Sequence, residues 1–276
     1  MNFLKRLRSH IEAIIIRSIN RHDYLHDKLD EIRNVIIVEN EKNRNLARFH
    51  HLKDYTLTFY YQGKRVKLYI PNADTDDIQS QIIASNNFYE EDFLSLLRSI
   101  TLDRAGNVID VGANIGNHSI FFSNICDFKK CISIEPNPQV FEILQKNIAL
   151  NNLEDKVEAL NCGAGKEKSV SYLGKSNARN LGATSLNPQD KTSKQVEIIA
   201  IDELGLDSLD LLKIDVEGMA VEVISGATET LMKYKPIVFV ELFEHEFDDG
   251  QRILDGLGYS ITHSLDWDYY IFQVTK

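Results

Sequence analysis

With 276 residues, 43% hydrophobic and 26% charged, the chain has the make-up of a soluble globular protein with one sizeable domain and an appendage. Its net charge of −10 has the wrong sign for a general nucleic-acid binder, so no nucleic-acid partner is expected. Cys126, Cys131 and Cys162 form no CxxC pair and read as buried thiols of a reducing compartment.

Residues 1–50 carry ten Lys and Arg against seven Asp and Glu, a net of +3, while the remainder carries −13. The start therefore reads as a separate helical extension. Leu25, Leu29, Ile32 and Ile36 recur at helical spacing, and no Gly or Pro interrupts the chain before Gly63. Such a helix could pair with a second copy in a homo-oligomer, lie on its own domain, or touch a membrane surface peripherally through Lys5, Arg6, Arg8 and Arg17. The apolar run Ile11–Ile16 is broken by Glu12 and is too short to span a bilayer. No signal peptide is predicted, and a cytoplasmic location is expected.

Residues 51–105 form a lead-in. Tyr55–Tyr61 and Arg65–Ile70 flank Gln62-Gly63-Lys64 and predict a β-hairpin closed by Pro71. Ile78–Ile100 follows as helical segments holding Phe88-Tyr89-Glu90-Glu91.

From residue 106 to 276 strands and helices alternate. Strands are predicted at Val108–Val111, Cys131–Glu135, Val157–Asn161, Leu211–Asp215 and Ile237–Glu241. Helices are predicted at Ile115–Asn124, Gln139–Asn151, Val221–Lys233 and Gly250–Leu257. The alternation implies a doubly wound α/β domain, Rossmann-like, with a mostly parallel seven-stranded sheet. Tyr259–Thr262 and Tyr269–Val274 are separated by only six residues, too few for a parallel crossover, so the last strand is antiparallel. Polar residues near 165–195 read as an insertion with one short strand at Ser169–Leu173 and as a candidate substrate loop.

The most informative stretch is Val108-Ile109-Asp110-Val111-Gly112-Ala113-Asn114-Ile115-Gly116. A strand delivers Asp110 and Gly112 at its carboxyl end, where ligands bind in such folds. The Gly112/Gly116 spacing is not the GxGxxG of dinucleotide binding, and Asp110 suits an ammonium group better than a phosphate. Glu135 ends the next strand, 19 residues after Gly116, where an acid accepts ribose hydroxyls in nucleotide-binding βαβ units. Pro138 and Asn137 suit the start of the following helix.

VIDVGANIG, ISIEPNP, LLKIDVEG with its VISGA helix, and KPIVFVE together resemble the FkbM family of S-adenosylmethionine-dependent methyltransferases, which have the class I methyltransferase fold. The likeness runs from about Ser85 to Tyr259 and includes the Phe-Tyr-Glu segment around Glu90. It implies S-adenosylmethionine as cofactor, with contacts from Asp110, Gly112, Asn114 and Glu135; Glu90, Gly116 and Asp215 are further candidate cofactor contacts. It also implies O-methylation of a hydroxyl, on a sugar of a bacterial glycan or its precursor, or on another small molecule. The family pattern Asp-x-Glu-Gly-x-Glu departs here, where Asp215-Val216-Glu217-Gly218-Met219 is followed by Ala220.

Methyl transfer needs alignment and a base for the hydroxyl proton. Asp215, Glu241 and His245 are the candidate catalytic residues. Asp215 could instead hold the donor's amino group, and His245 could be a surface residue of the Glu244-His245-Glu246 run. No resident metal is expected. A cofactor-binding scaffold of weak activity is the competing class, motivated by Ala220. A nicotinamide-dependent enzyme is disfavoured by the missing GxGxxG.

Overall fold

The computed structural model describes residues 43–104, 106–174, 179, 181–182, 185–187, 189–190, 192–266 and 268–274. The chain divides into two units, Met1–His51 and Leu52–Lys276. In the first, residues 43–50 are helical. The Leu25/Leu29/Ile32/Ile36 stripe and the basic residues before it lie outside the described residues.

The second unit opens with the predicted hairpin, β1 (Thr56–Tyr61) and β2 (Lys64–Tyr69). Gln62 and Gly63 both have positive φ, +48° and +80°, as a two-residue turn matched to strand twist requires. Helices α1 (Asp77–Ser85) and α2 (Glu91–Ile100) follow. Asp76 caps α1 by accepting from Gln79 N–H. Asn86 and Glu90, with φ of +54° and +56°, bracket the turn between the two helices.

The large sheet contains β3 (Asn107–Val111), β4 (Lys130–Ile134), β5 (Val157–Leu160), β9 (Leu211–Ile214), β10 (Ile237–Glu241), β11 (Tyr259–Ser264) and β12 (Tyr269–Val274). Its order is β11-β12-β10-β9-β3-β4-β5. Neighbours from β10 to β5 are parallel, while β12 runs antiparallel to both β10 and β11. Strands β3, β9 and β10 are buried almost throughout, which their Val, Ile and Leu runs require of a sheet covered on both faces. The chain leaves β3 toward β4 and β5, then returns to β9 and β10 on the other side. The switch point therefore lies at the carboxyl ends of β3 and β9.

Several boundaries differ from the sequence reading. Helix α3 (Asn117–Ile120), continued by a π-helical turn at Phe121–Ile125, starts two residues later than predicted because Gly116 takes φ +87° as its N-cap. Helix α4 (Pro138–Leu150) begins on Asn137 and Pro138 as predicted. The predicted helix Val221–Lys233 is two helices, α5 (Ala220–Ser225) and α6 (Thr228–Tyr234). They break at Gly226, where any Cβ would lie 2.0 Å from the Gly165 carbonyl oxygen. Helix α7 (Glu244–Gly256) starts six residues before the predicted Gly250, and Glu244 and Glu246 in its first turn complement the helix dipole. The insertion holds a three-stranded sheet rather than one strand. There β8 (Gln195–Ile199) pairs with both β6 (Gly163–Ala164) and β7 (Ser169–Tyr172).

The outer edge of β2 meets α4 through asparagines. Asn147 and Asn151, one helical turn apart, accept from the N–H groups of Tyr69 and Lys67 and donate to the same residues' carbonyls. Two side-chain amides thus stand in for a third strand.

Candidate functional site

Two clefts lie at the carboxyl end of the sheet. The first has an empty volume of about 660 Å³, its open mouth included, and is walled by Gly112, Asn114, Glu135, Asp215 and apolar groups such as Ile134 and Met219. Leu186 and Gly182 of the insertion close one side. Leu181 ties that segment down: its N–H donates to Asp76 Oδ2 at 2.9 Å, and its carbonyl accepts from Asn137 Nδ2 at 3.1 Å.

Glu135 is buried, and its two oxygens accept from Asn137 N–H at 2.8 Å and Asn114 N–H at 2.9 Å. Each oxygen keeps a further acceptor position, which suits two vicinal hydroxyls. Burial pushes its carboxyl up to about 7, against the pull of those two N–H groups. Among the described residues no Lys or Arg lines this cleft, which is the lining a nucleoside without phosphate needs.

Asp110 does not reach the cleft. It is fully buried, its Oδ1 lies 3.0 Å from Lys213 Nζ, and its Oδ2 accepts from Ser119 Oγ at 2.6 Å. The ammonium that its charge predicted is thus supplied by this chain. Lys213, 1% exposed, also lies 3.2 Å from Asp215 Oδ2 and donates to the Gly112 carbonyl at 2.9 Å. Burial would lower its pKa, but Asp110 and Asp215 raise it, so it stays charged. A lone Lys inside the apolar run Leu211-Leu212-Lys213-Ile214 was the available sequence signal for this buried pairing.

The two glycines also differ from expectation. Gly112 lines the cleft with φ +73°, yet an added Cβ would first meet the Asp215 carbonyl oxygen, at 1.8 Å. Its absent side chain lets the β3 and β9 loops approach each other. Gly116 is buried away from the cleft, where a Cβ would lie 2.6 Å from Leu144 Cδ1. It serves packing of α3 on α4.

The second cleft is a wider groove along the α1–α2 turn, reaching Glu90, Glu241 and Tyr269. Glu241, at the end of β10, is pushed up to about 8, first by burial and then by the charges of Asp215 and Glu217, with Lys213 opposing. Glu90 lies 3.4 Å from His118 Nε2. Burial would raise its carboxyl, but the His118 hydrogen bond and charge hold it below the usual range. The sequence reading missed His118, because nothing in α3 alone points to Glu90. Asp215, 31% exposed, stands in the wall of the first cleft while its charge acts on Glu241 in the second.

His245 is exposed on the first turn of α7, stacked on Phe243 at 6.0 Å, and borders neither cleft. The structure therefore does not group it with Glu241. Its neighbour Glu246 is the informative one. Buried, it accepts from Ala220 N–H at 2.9 Å, so α7 supplies a carboxylate at the helix start where Ala220 departs from the family pattern. Among the described residues no cluster of three or more His, Cys, Asp or Glu could hold a metal ion. None of their helices is long and apolar enough to cross a membrane.

A seven-stranded sheet with one antiparallel strand, and a cleft at the β3–β9 switch point, define the class I methyltransferase fold. The chain belongs to the FkbM methyltransferase family: the Methyltransferase FkbM domain matches residues 110–266. It is similar to methyltransferase sdnD of Sordaria araneosa, at 28% identity, with 56% of this chain and 74% of that protein covered. Methyltransferase 1 of Beauveria bassiana (strain ARSEF 2860) is 26% identical, covering 58% and 75%. The crystal structure of methyltransferase FkbM from Methylobacillus flagellatus KT superposes with a TM-score of 0.50 at 20% identity, over 73% of this chain. This chain spans just over half of that one, 56%, and the likeness is one of fold.

Proposed function

We propose that the protein transfers a methyl group from S-adenosylmethionine to a hydroxyl oxygen of a sugar, in a glycan or its precursor. The first cleft holds the donor: Glu135 accepts the ribose hydroxyls, Ile134 and Met219 flank the base, and Asp215 takes the amino group. Lys213 fixes Asp215 in place. The donor supplies a methyl already activated by its sulfonium, so the chain's work is alignment, exclusion of water and removal of one proton.

Glu241 does the last of these. It borders the groove beside the donor cleft, and a carboxyl near 8 is basic enough, once ionised, to take a hydroxyl proton as the oxygen–carbon bond forms. This pairing of a cleft walled by Glu135 and Asp215 with a second carboxylate, Glu241, close enough to feel the charge of Asp215, carries the reading. The two relatives from Sordaria and Beauveria are fungal, and no described residue lining the clefts favours a bacterial over another glycan.

The test separates the two acids. Donor affinity by calorimetry and transfer of labelled methyl to a panel of glycans are measured for Asp215→Asn and Glu241→Gln. Asp215→Asn should weaken donor binding. Glu241→Gln should keep donor affinity and lose roughly 10²–10⁴-fold in turnover. Normal turnover in Glu241→Gln would remove it as the base.

A further inference from the structure

Helix α1 is capped by a carboxylate, Asp76, that is only 2% exposed, and a cap does not need a charge. Serine or asparagine at the same place would accept the same N–H without taking a charge out of water. Burial pushes the Asp76 carboxyl above its ordinary value, against the pull of the N–H groups it holds. Its second oxygen accounts for that cost. Oδ1 accepts from Gln79 N–H at 2.9 Å within the helix, while Oδ2 accepts from Leu181 N–H at 2.9 Å, 105 residues further on. Beside this bond, Asp77 N–H donates to the Arg179 carbonyl at 2.7 Å.

Both partners of Asp76 carry a wall of the donor cleft. Ile78, in the first turn of α1, lines one part of it, and Gly182, next to Leu181, lines another. The insertion is seated there on the two residues that hold Glu135. Asn137 donates its N–H to Glu135 and its side-chain amide to the Leu181 carbonyl. Asn114 donates its N–H to Glu135, and its side chain packs so close to Gly182 that a Cβ there would lie 2.1 Å from Nδ2. One buried carboxylate thus joins two segments, far apart in sequence, that both face the acid expected to take the ribose.

We propose that Asp76 is a positioning residue for the donor: it fastens the insertion to α1, so that Ile78 and Gly182 enclose the bound nucleoside and delay its release. The proposal rests on the first cleft being the donor site. A donor that touches both walls favours the fastened arrangement, and fastening favours the donor by the same factor. Entry needs no bond between the walls, whereas escape must part them, so the effect falls on dissociation.

Asp76→Ser keeps a cap for α1 but gives up the bond to Leu181. Leu181→Pro removes the N–H and leaves the cap of α1 in place. Binding of S-adenosylhomocysteine to the full chain is measured by calorimetry and stopped flow, and tryptic cleavage after Arg179 is timed with and without it. In the wild type, bound S-adenosylhomocysteine should slow the cleavage. Asp76→Ser should bind about tenfold more weakly, through faster dissociation with near-normal association, and should be cleaved readily even when saturated. Its melting temperature without ligand should stay close to that of the wild type. Leu181→Pro should give the same faster dissociation and cleavage, and it decides the question if Asp76→Ser does not fold. A role confined to capping α1 predicts that Asp76→Ser keeps wild-type dissociation and wild-type protection of Arg179, and that result overturns the proposal alone. A wild type that binds no S-adenosylhomocysteine would overturn the placement of the donor in this cleft, and this proposal with it.

Discussion

Glu241 couples activity to stability with opposite signs. Its folded pKa, about 8, lies above the ordinary carboxyl value of 4.5, so the stabilisation of its protonated form is complete below about 4.5 and is lost as pH rises through 8. Turnover should therefore climb with pH toward 8 while the melting temperature drifts down. Glu241→Gln, which mimics the protonated form, should flatten the first profile and raise the melting temperature at pH 8 more than at pH 5. Parallel thermal melts and rate profiles check both; a Gln variant less stable at pH 8 would show that the carboxylate is well accommodated. Lys213 is a harsher case. Lys213→Met leaves Asp110 charged and buried with no ammonium, which should cost about 3–5 kcal/mol in urea unfolding. Adding Asp110→Asn should recover much of that, and failure to recover would assign the loss to Asp215 and Gly112 instead. Among these residues the sequence disclosed the acids at strand ends, since apolar runs such as Ile237–Val240 deliver them there. It did not disclose which acids were already answered from within, because that depends on the register pairing Asp110 with Lys213 across β3 and β9.

Among the elements, the short helix α5 depends on a neighbour. It has no capping side chain of its own, and its first N–H, at Ala220, is met by Glu246 of α7. Glu246→Ala should cost about 1–2 kcal/mol and loosen the Asp215–Met219 loop that walls the donor cleft. Chemical unfolding together with donor calorimetry would show it as lost stability and weakened donor binding. Unchanged values for both would make the contact incidental. No local signal foretold this, since Ala220 and Glu246 meet only once α5 and α7 pack together. The break between α5 and α6 was equally hidden: Gly226 reads as a tolerable helix glycine until Gly165 is brought against it. Strands were read more accurately than helix ends. Period, apolar runs and turn residues are local, whereas helix limits here follow close approaches between distant segments. The insertion was under-read for the same reason, as the polar-and-apolar alternation of β8 gains its meaning only from β6 and β7.

At the scale of the whole molecule, the mostly parallel sheet and its antiparallel finish were legible because connection lengths constrain strand direction, and six residues cannot carry a parallel crossover. What joins the lead-in hairpin to the domain was not, for it depends on side chains. The asparagine pair on α4 has a consequence for colloidal behaviour. A two-stranded ribbon has two open flanks, and an unsatisfied flank is a template on which another molecule can add a strand. Asn147 and Asn151 close one flank of this ribbon with amides, which satisfy the backbone without offering a further strand to extend. Leucine at both positions would leave the amides and carbonyls of Lys67 and Tyr69 without partners. The expected result is aggregation that rises with protein concentration and binds thioflavin before the donor cleft unfolds, as followed by light scattering alongside donor titration. A double variant that loses its cleft without aggregating would show the amides to be simple struts. If the expectation holds, these side chains keep the enzyme in solution as well as hold its fold.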